Sequence, residues 1–246
     1  MIIKDSVILV TGGANGLGLS ISYYLLNLGA KIVILDIDSN ALDNLPKEIG
    51  YYETDVTNPT QVQSTIKKII QKYHQIDVLI NNAGNIFSKP LINIMEPNEI
   101  KHDYLSFRNS IKANLDSVFI TTSVVAEQMV KSRLSGNIIN ISSISAYGNE
   151  GQTAYSAAKG GVNSMTVTWS KELARFGIRC NAVAPGFLDT NSTNSVLNES
   201  QLKYIKSNTP LKRLGEADEV AKAVTSILEN DFLNGVILDV NGGLTI

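Results

Sequence analysis

The sequence has very few of the residues on which metal and thiol chemistry depend. It contains one cysteine, Cys180, and two histidines, His74 and His102, among 246 residues. A single cysteine excludes an internal disulfide and a cysteine-cluster metal site, and two histidines exclude a multi-histidine zinc site. Neither histidine lies in a recognisable Ser-His-Asp context, and Cys180 lies in an apolar run typical of a small buried residue. We therefore expect a protein without a metal.

A strong charge of either sign and long apolar runs are also missing. The formal net charge is −2 with both signs scattered, which leaves no basic surface for nucleic acid or an anionic membrane. Met1 almost directly precedes the first apolar run, and no apolar run is long enough to span a bilayer. No linker or internal repeat divides the chain. We expect one cytoplasmic domain, residues 1–246, that binds neither nucleic acid nor membrane.

Short apolar segments alternate with segments of helical periodicity along the whole chain. The apolar segments lack alternation, as strands covered on both faces do, and cover residues 6–10, 31–35, 76–80, 137–141, 178–183 and 236–240. Helical periodicity covers residues 17–28, 59–73, 107–129, 154–176 and 216–229. This order predicts a three-layer, doubly wound Rossmann fold with a mainly parallel sheet. Ligands of such folds bind beyond the carboxyl ends of the strands.

A glycine-rich turn follows the first predicted strand. Gly12, Gly16 and Gly18 lie where unpaired backbone N–H groups and the helix dipole favour a phosphate. Asp36 ends the second predicted strand, where an acid can accept hydrogen bonds from an adenosine ribose and repel a 2′-phosphate. Positions 15 and 37 are Asn and Ile, so neither supplies an arginine that could bind such a phosphate. These residues favour NAD(H) over NADP(H); a structural turn and a solvated acid are the alternatives.

Tyr155 and Lys159 are four residues apart, and therefore lie on the same face of a predicted helix. A phenol with a pKa of roughly 10 is a poor proton donor or acceptor near neutrality, but an adjacent ammonium lowers that pKa. The pair can then act as a general acid or base, although Tyr and Lys at this spacing also occur on ordinary exposed helices. Two serines, Ser142 and Ser143, end the preceding apolar strand, where a hydroxyl could hold a carbonyl oxygen or simply form a turn.

Eight motifs in sequence order resemble the short-chain dehydrogenase/reductase family over essentially the whole chain. They are TGGANGLG (11–18), Asp36, DVT (55–57), NNAG (81–84), KANLDSVF (112–119), GNIINISS (136–143), YSAAK (155–159) and VAPGFLDT (183–190). The resemblance implies a sheet of seven strands and a homotetramer or homodimer in which residues 107–129 and 154–176 pack across one interface. It also implies a substrate flap at residues 186–213, including the polar run 189–195.

The resemblance assigns roles residue by residue. Tyr155 becomes the acid/base, Lys159 its pKa-lowering partner, Ser143 the residue that orients the carbonyl, and Asn114 the holder of a proton-relay water. Tyr155 and Lys159 also contact the cofactor. The remaining cofactor contacts are Gly12, Asn15, Gly16, Leu17, Gly18, Asp36, Ile37, Asp55, Val56, Asn82, Ala83, Gly84, Pro185, Gly186 and Thr190.

Two departures from the family pattern concern the site. Ser143 precedes Tyr155 by 12 residues where the family usually has 13, so Ser142 competes with Ser143; the ungapped strand motif favours Ser143. Residues 85–113, between Gly84 and Asn114, form a longer segment than is usual for the family. This insertion is expected to wall the substrate pocket, to form a surface excursion, or to make a subunit contact.

The sequence thus predicts an NAD(H)-dependent oxidoreductase that interconverts a secondary alcohol and a carbonyl. The predicted walls of the substrate pocket are Ile86, Ser145, Tyr147, Gln152 and the residues after Gly186. Their side chains do not identify a particular substrate. A 3-oxoacyl-(acyl-carrier-protein) reductase is one alternative, weakened by Asp36 because those reductases mostly use NADPH. A non-catalytic NAD-binding sensor is another, weakened by the presence of a complete proton relay.

Overall fold

The structure, a computed structural model, describes residues 1–96, 99–190 and 197–246. Seven strands form one sheet in the order β3-β2-β1-β4-β5-β6-β7, and all six strand pairs are parallel. The strands are β1 (Val7–Thr11), β2 (Lys31–Asp36), β3 (Gly50–Glu53), β4 (Val78–Asn81), β5 (Gly136–Ile141), β6 (Ile178–Pro185) and β7 (Ile237–Val240). The predicted doubly wound fold is confirmed.

Helices connect consecutive strands. In chain order they are α1 (Gly16–Asn27), α2 (Ser39–Asp43), α3 (Pro59–Tyr73), α4 (Tyr104–Ile111), α5 (Ser117–Lys131), α6 (Thr153–Glu172), α7 (Glu199–Asn208) and α8 (Ala217–Glu229). A π-helical turn, Lys112–Asp116, joins α4 to α5, and 3-10 turns cover Ile144–Tyr147 and Ala174–Phe176. No helix within the described ranges is both long enough and apolar enough to cross a membrane.

The sheet is covered on both faces, which explains its uninterrupted apolar strands. In β1, Ile8 and Val10 pack on one face together with α1 and α8, whereas Val7 and Leu9 pack on the other face with α3 and α5. Cys180 lies in the second cluster without solvent exposure, as predicted. Because every strand runs in the same direction, the carboxyl ends of β1, β2, β4, β5 and β6 lie at the same edge of the sheet.

Two elements differ from the segments that the sequence indicates. The predicted apolar segments do not include strand β3, because in this edge strand the half-buried Gly50 and Tyr52 alternate with the exposed Tyr51 and Glu53. The predicted helix 107–129 is interrupted by the π-helical turn that carries Asn114. A π turn shifts the register of side chains along a helix and is frequent at functional sites.

Candidate active site

The glycine turn between β1 and α1 combines packing glycines with an open one. A Cβ atom on Gly12, which has φ +62°, would lie 2.7 Å from Cα of Ala83, and one on Gly18 would collide with the carbonyl of Gly12 and the amide of Asn82. Gly16, with φ +54°, has no atom within 4 Å of its Cβ position. The first turn of α1 also lacks a side-chain cap. The chain therefore leaves space and backbone donors for an anion at Gly16.

The glycine turn is fastened to the end of β4. The hydroxyl of Thr11 accepts hydrogen bonds from the backbone N–H groups of Asn82 and Ala83, each at 3.1 Å. The side-chain amide of Asn82 donates to the carbonyl oxygens of Thr11, at 3.2 Å, and Gly12, at 2.8 Å. Asn82 thus braces the turn. Its predicted ribose contact, and that of Ala83, remain predictions.

The carboxylate of Asp36 lies beside this turn, beyond the end of β2. It accepts hydrogen bonds from the backbone N–H groups of Ala14 at 3.0 Å, Ile37 at 2.8 Å and Asp38 at 3.2 Å. The amide of Asn15 donates to the carboxylate of Asp38 at 3.2 Å, and the side chain of Ile37 is 68% exposed. Two carboxylates therefore border the surface on which a ribose would lie, and they disfavour a phosphate there.

Three predicted cofactor contacts have side chains already engaged by the protein. Asp55 accepts hydrogen bonds from the backbone N–H of Thr57 at 2.8 Å and from its hydroxyl at 2.6 Å. The hydroxyl contact is the main reason why the pKa of Asp55 is lowered. Val56 is buried on the face of the sheet that α3 and α5 cover, whereas Leu17 packs against the core on the opposite face. Cofactor contacts at these positions remain predictions.

Tyr155, Ser143 and Lys159 lie together where β5 ends and α6 begins. The Tyr155 side chain is buried, and its hydroxyl lies beside the side chain of Ser143. Lys159 is also buried; its Nζ lies 5.7 Å from the centroid of the Tyr155 ring and donates a hydrogen bond to the carbonyl oxygen of Ile141 at 2.7 Å. One helical turn separates the phenol from the ammonium, as the spacing predicts.

The pKa values of this group differ from the sequence-based expectation. Burial raises the pKa of Tyr155 above its ordinary value, and the hydrogen bond with Ser143 opposes that rise. Burial also lowers the pKa of Lys159 to about 8. The expected net lowering of the Tyr155 pKa by Lys159 is wrong for the protein alone. The physical reason is that the free-energy cost of removing the phenolate from water exceeds the stabilisation that the surrounding groups give it.

The two serines after β5 point to different partners. Ser142 is buried, and its hydroxyl donates to the side-chain oxygen of Asn163 at 2.6 Å. Ser143 is half-buried, contacts Tyr155, and accepts a hydrogen bond from the backbone N–H of Ser145 at 3.1 Å. The alternation of side chains along an extended chain explains this separation. The geometry therefore places the hydroxyl of Ser143 beside the phenol.

Asn114 lies in the π-helical turn and has no solvent exposure. Its side-chain oxygen accepts from the backbone N–H of Asn85 at 3.1 Å, and its nitrogen donates to the carbonyl oxygens of Asn85 at 2.9 Å and Ser110 at 3.0 Å. A Cβ atom on Gly84 would collide with the side-chain oxygen of Asn114. Asn114 thus joins the insertion to helix α4, and its predicted water-holding role remains a prediction.

The predicted flap begins where β6 ends. Gly186 donates its N–H to the carbonyl of Val240 at 2.9 Å, and a Cβ atom on Gly186 would lie 2.9 Å from Cα of Asn241. Gly186 is therefore required by close packing beside Pro185, whose predicted nicotinamide contact remains a prediction. The backbone N–H of Thr190 donates to Leu188 at 3.0 Å. Residues 191–196, which include most of the predicted polar run, lie outside the described residues.

A cavity of about 510 Å³ lies next to the flap but away from the Tyr155 hydroxyl. Its walls include Phe187, Leu211, Arg213, Glu219 and Asn241. Arg213 and Glu219 form an ion pair at 2.6 Å in this wall. Since neither Ser143 nor Tyr155 borders this cavity, we do not take it as the reaction site.

Several supporting residues were not identified from the sequence. Thr11 fastens the glycine turn, Ile141 supplies the carbonyl for Lys159, and Asn163 holds Ser142. Ser110 precedes Asn114 by one helical turn, and this spacing could have indicated their contact. The carbonyl of Ile141 leaves no signal in the sequence, because any residue carries the same backbone oxygen.

The arrangement as a whole places an open glycine turn, the carboxylates of Asp36 and Asp38 and the side-by-side hydroxyls of Ser143 and Tyr155 at one edge of the sheet. The model of the short chain dehydrogenase family matches residues 6–201. The chain therefore belongs to the short-chain dehydrogenase family, and it is an oxidoreductase of that family.

Two curated relatives are similar over nearly the full length of the chain. The 3-oxoacyl-(acyl-carrier-protein) reductase FabG of Thermotoga maritima is 38% identical, with both proteins covered completely. The sorbitol-6-phosphate 2-dehydrogenase of Klebsiella pneumoniae is 36% identical, over 99% of this chain and 97% of that protein. A crystal structure of a short chain dehydrogenase from Bacillus anthracis superposes with a TM-score of 0.85 at 28% identity, covering 98% of this chain and 97% of that one.

Proposed function

We propose that this protein interconverts a secondary alcohol and a carbonyl with NAD(H), and that Tyr155 is the general acid and base. The observation that carries the proposal is the placement of the Ser143 hydroxyl beside the Tyr155 phenol, one helical turn from the buried Lys159. A structural tyrosine on an exposed helix needs neither partner. Two hydroxyls that lie side by side are suited to holding and protonating a carbonyl oxygen.

In this proposal each residue of the group has a defined task. Ser143 donates a hydrogen bond to the substrate oxygen and fixes its position beside the phenol. Tyr155 gives its proton to that oxygen during reduction and takes the hydroxyl proton during oxidation. Burial raises its pKa, so that the phenol is protonated at neutral pH and able to act as the acid in reduction. Lys159, with a pKa of about 8, supplies a positive charge near the phenol below that pH.

The turn at Gly16 and the carboxylate of Asp36 fit a dinucleotide. Gly16 leaves open space at the start of α1, so its neighbouring N–H groups could hold the pyrophosphate. Asp36 has a fixed carboxylate toward the ribose side, and Asp38 adds a second negative charge. These charges support NAD(H) as the preferred form of the cofactor. When bound, the nicotinamide would supply or accept the hydride.

A second candidate is reduction of a 3-oxoacyl group on a carrier protein. It is supported by the 38% identity to the reductase of that name. The comparably similar sorbitol-6-phosphate 2-dehydrogenase supports a polyol instead. The carboxylates of Asp36 and Asp38 distinguish the candidates only through the cofactor, because neither lies beside the Ser143–Tyr155 pair.

The protein is also proposed to form a homotetramer or homodimer through helices α5 and α6. Phe119 on α5 is 55% exposed, and its ring centroid lies 6.5 Å from that of Trp169 on α6. Trp169 is half-buried, so Phe119 presents the exposed part of this aromatic pair, and an exposed aromatic ring is typical of a covered surface rather than of a solvated one.

The decisive test is a panel of alcohols and ketones assayed with NAD⁺, NADH and their phosphorylated forms by nicotinamide absorbance. The panel includes sorbitol 6-phosphate and a 3-oxoacyl thioester, so that both candidates are represented. We expect turnover with NADH to exceed that with NADPH. The Asp36→Asn variant should narrow this preference by about tenfold, since one charge that repels the 2′-phosphate is lost. Glu53→Gln, which removes a carboxylate from the neighbouring strand β3, is the matched control.

Turnover with NADPH alone would overturn the role proposed for Asp36. Turnover with neither cofactor on any member of the panel would overturn the proposed activity.

A further inference from the structure

The first part of the insertion, residues 85–89, is attached to the active site at both ends. At one end, the backbone N–H of Asn85 donates to the side-chain oxygen of Asn114 at 3.1 Å. At the other end, the backbone N–H of Lys89 donates to the carbonyl of Gly151 at 2.7 Å. Lys89 also forms an ion pair at 3.2 Å with Asp103, which caps helix α4. This segment is therefore held in place rather than loosely exposed.

Gln152 connects this segment to the loop that carries Ser143. Its side-chain nitrogen donates to the hydroxyl of Ser88 at 3.2 Å. Its side-chain oxygen accepts from the hydroxyl of Ser145 at 2.8 Å and from the amide of Asn149 at 3.1 Å. Both ends of the amide are thus used, and the residue directly precedes helix α6, three positions before Tyr155. One side chain links the insertion, the serine loop and the start of the tyrosine helix.

The two attachments determine which side chain of the segment is available to a ligand. Phe87 packs against His102, with ring centroids 5.7 Å apart, and His102 in turn contacts Phe107. Ile86 lies between the attachments to Asn114 and Gln152 and is 65% exposed. An exposed apolar side chain in a segment that is fixed to Asn114 and Gln152 is suited to contact with the carbon skeleton of a substrate.

We propose that Gln152 is a positioning residue that holds residues 85–89 as a wall of the substrate site, with Ile86 as the side chain that meets the substrate. The proposal rests on the proposed alcohol and carbonyl activity. It differs in its prediction from the two other interpretations of this segment, a surface excursion and a subunit contact. Both of these predict that the substrate site is unchanged when the attachment is broken.

The test uses variants that break the link between Gln152 and Ser88. Ser88→Ala removes the acceptor of the Gln152 amide, and Gln152→Met removes the amide itself at similar side-chain length. Ser88→Ala should raise KM for a ketone substrate about five- to tenfold, the loss expected for one hydrogen bond, and Gln152→Met should raise it by at least as much, while kcat and the Kd for NADH stay unchanged. The double variant should raise KM no further than Gln152→Met alone. Gln63→Met, the same change on the exposed face of α3, is the control.

A second measurement tests the side chain that forms the wall. With cyclohexanone and 4-tert-butylcyclohexanone as probes, Ile86→Ala should raise kcat/KM for the bulkier ketone relative to the smaller one by about tenfold. Ile2→Ala, which truncates an exposed isoleucine far from the site, should leave the ratio unchanged. A wild-type protein that reduces no ketone overturns the proposed function and this inference together. An active protein in which Gln152→Met and Ser88→Ala match Gln63→Met overturns the inference alone.

Discussion

The buried ammonium of Lys159 should make the protein less stable than it would be with an apolar side chain at that position. Its Nζ is buried and donates a single hydrogen bond, to the carbonyl of Ile141. Burial lowers its pKa from 10.5 to about 8. We predict that Lys159→Met, which keeps the volume and removes the charge, abolishes turnover and stabilises the fold at neutral pH.

The magnitude follows from the pKa shift. At about 1.4 kcal/mol per pKa unit, the lowered pKa corresponds to a cost of about 3 kcal/mol when the ammonium is charged. Removing the ammonium also leaves the carbonyl of Ile141 without that donor, at a cost of about 1–2 kcal/mol. The net gain for Lys159→Met at neutral pH is therefore about 1–2 kcal/mol.

The sign of the pH dependence provides an internal check. Because the folded pKa is depressed, the unfolded chain binds more protons between about pH 8 and pH 10.5, and the wild-type stability rises across this interval. The cost is complete below pH 8 and is lost above pH 10.5. The stability advantage of Lys159→Met should therefore shrink as the pH rises from about 7 to about 10.

Urea unfolding, followed by the fluorescence of Trp169, the only tryptophan, measures the stability difference between Lys159→Met and the wild type and its dependence on pH. The protomer concentration is held fixed, because subunit association contributes to apparent stability. A Lys159→Met variant that is less stable than wild type at neutral pH, or whose advantage grows with pH, would refute the reasoning.

Two further predictions concern the serines and the assembly. Ser143→Ala should lower kcat by about 10²-fold or more. Ser142→Ala should keep most of kcat and lose about 1 kcal/mol of folding stability, because its contact with Asn163 is lost. Steady-state kinetics and urea unfolding measure the two effects, and equal losses of kcat in both variants would contradict the assignment of Ser143. Phe119→Glu should convert the assembly to a smaller species, because burying a charge in an interface beside Trp169 is unfavourable. Light scattering measures the mass, and circular dichroism should show unchanged secondary structure. An unchanged mass would contradict an interface on α5 and α6.

The strands of the sheet were predictable from the sequence wherever both of their faces are covered. Apolar residues without alternation identify β1, β2, β4, β5 and β6, because such a run is insoluble unless helices cover it on both sides. The edge strand β3 carries a different pattern, since one of its sides faces solvent. The sequence also carries residues that begin and end helices: Pro59 is the first residue of α3, and Gly29 and Gly177 have positive φ angles after α1 and α6.

The sequence indicated which of these side chains lie near one another, but not how they interact. The spacing of Tyr155 and Lys159 places them on one helical face, yet it does not reveal that both are buried. Burial reverses the expected direction of the Tyr155 pKa. The choice between Ser142 and Ser143 depended on the direction of each side chain after β5, which counting residues to the tyrosine could not give.

The central claim is that the Tyr155 hydroxyl exchanges the proton of an alcohol or carbonyl beside a bound nicotinamide. The most direct measurement compares turnover and NADH binding in Tyr155→Phe, which removes only that hydroxyl. We predict that turnover falls by about 10²-fold or more while NADH binds as in the wild type. A variant that turns over substrate at the wild-type rate would contradict the claim.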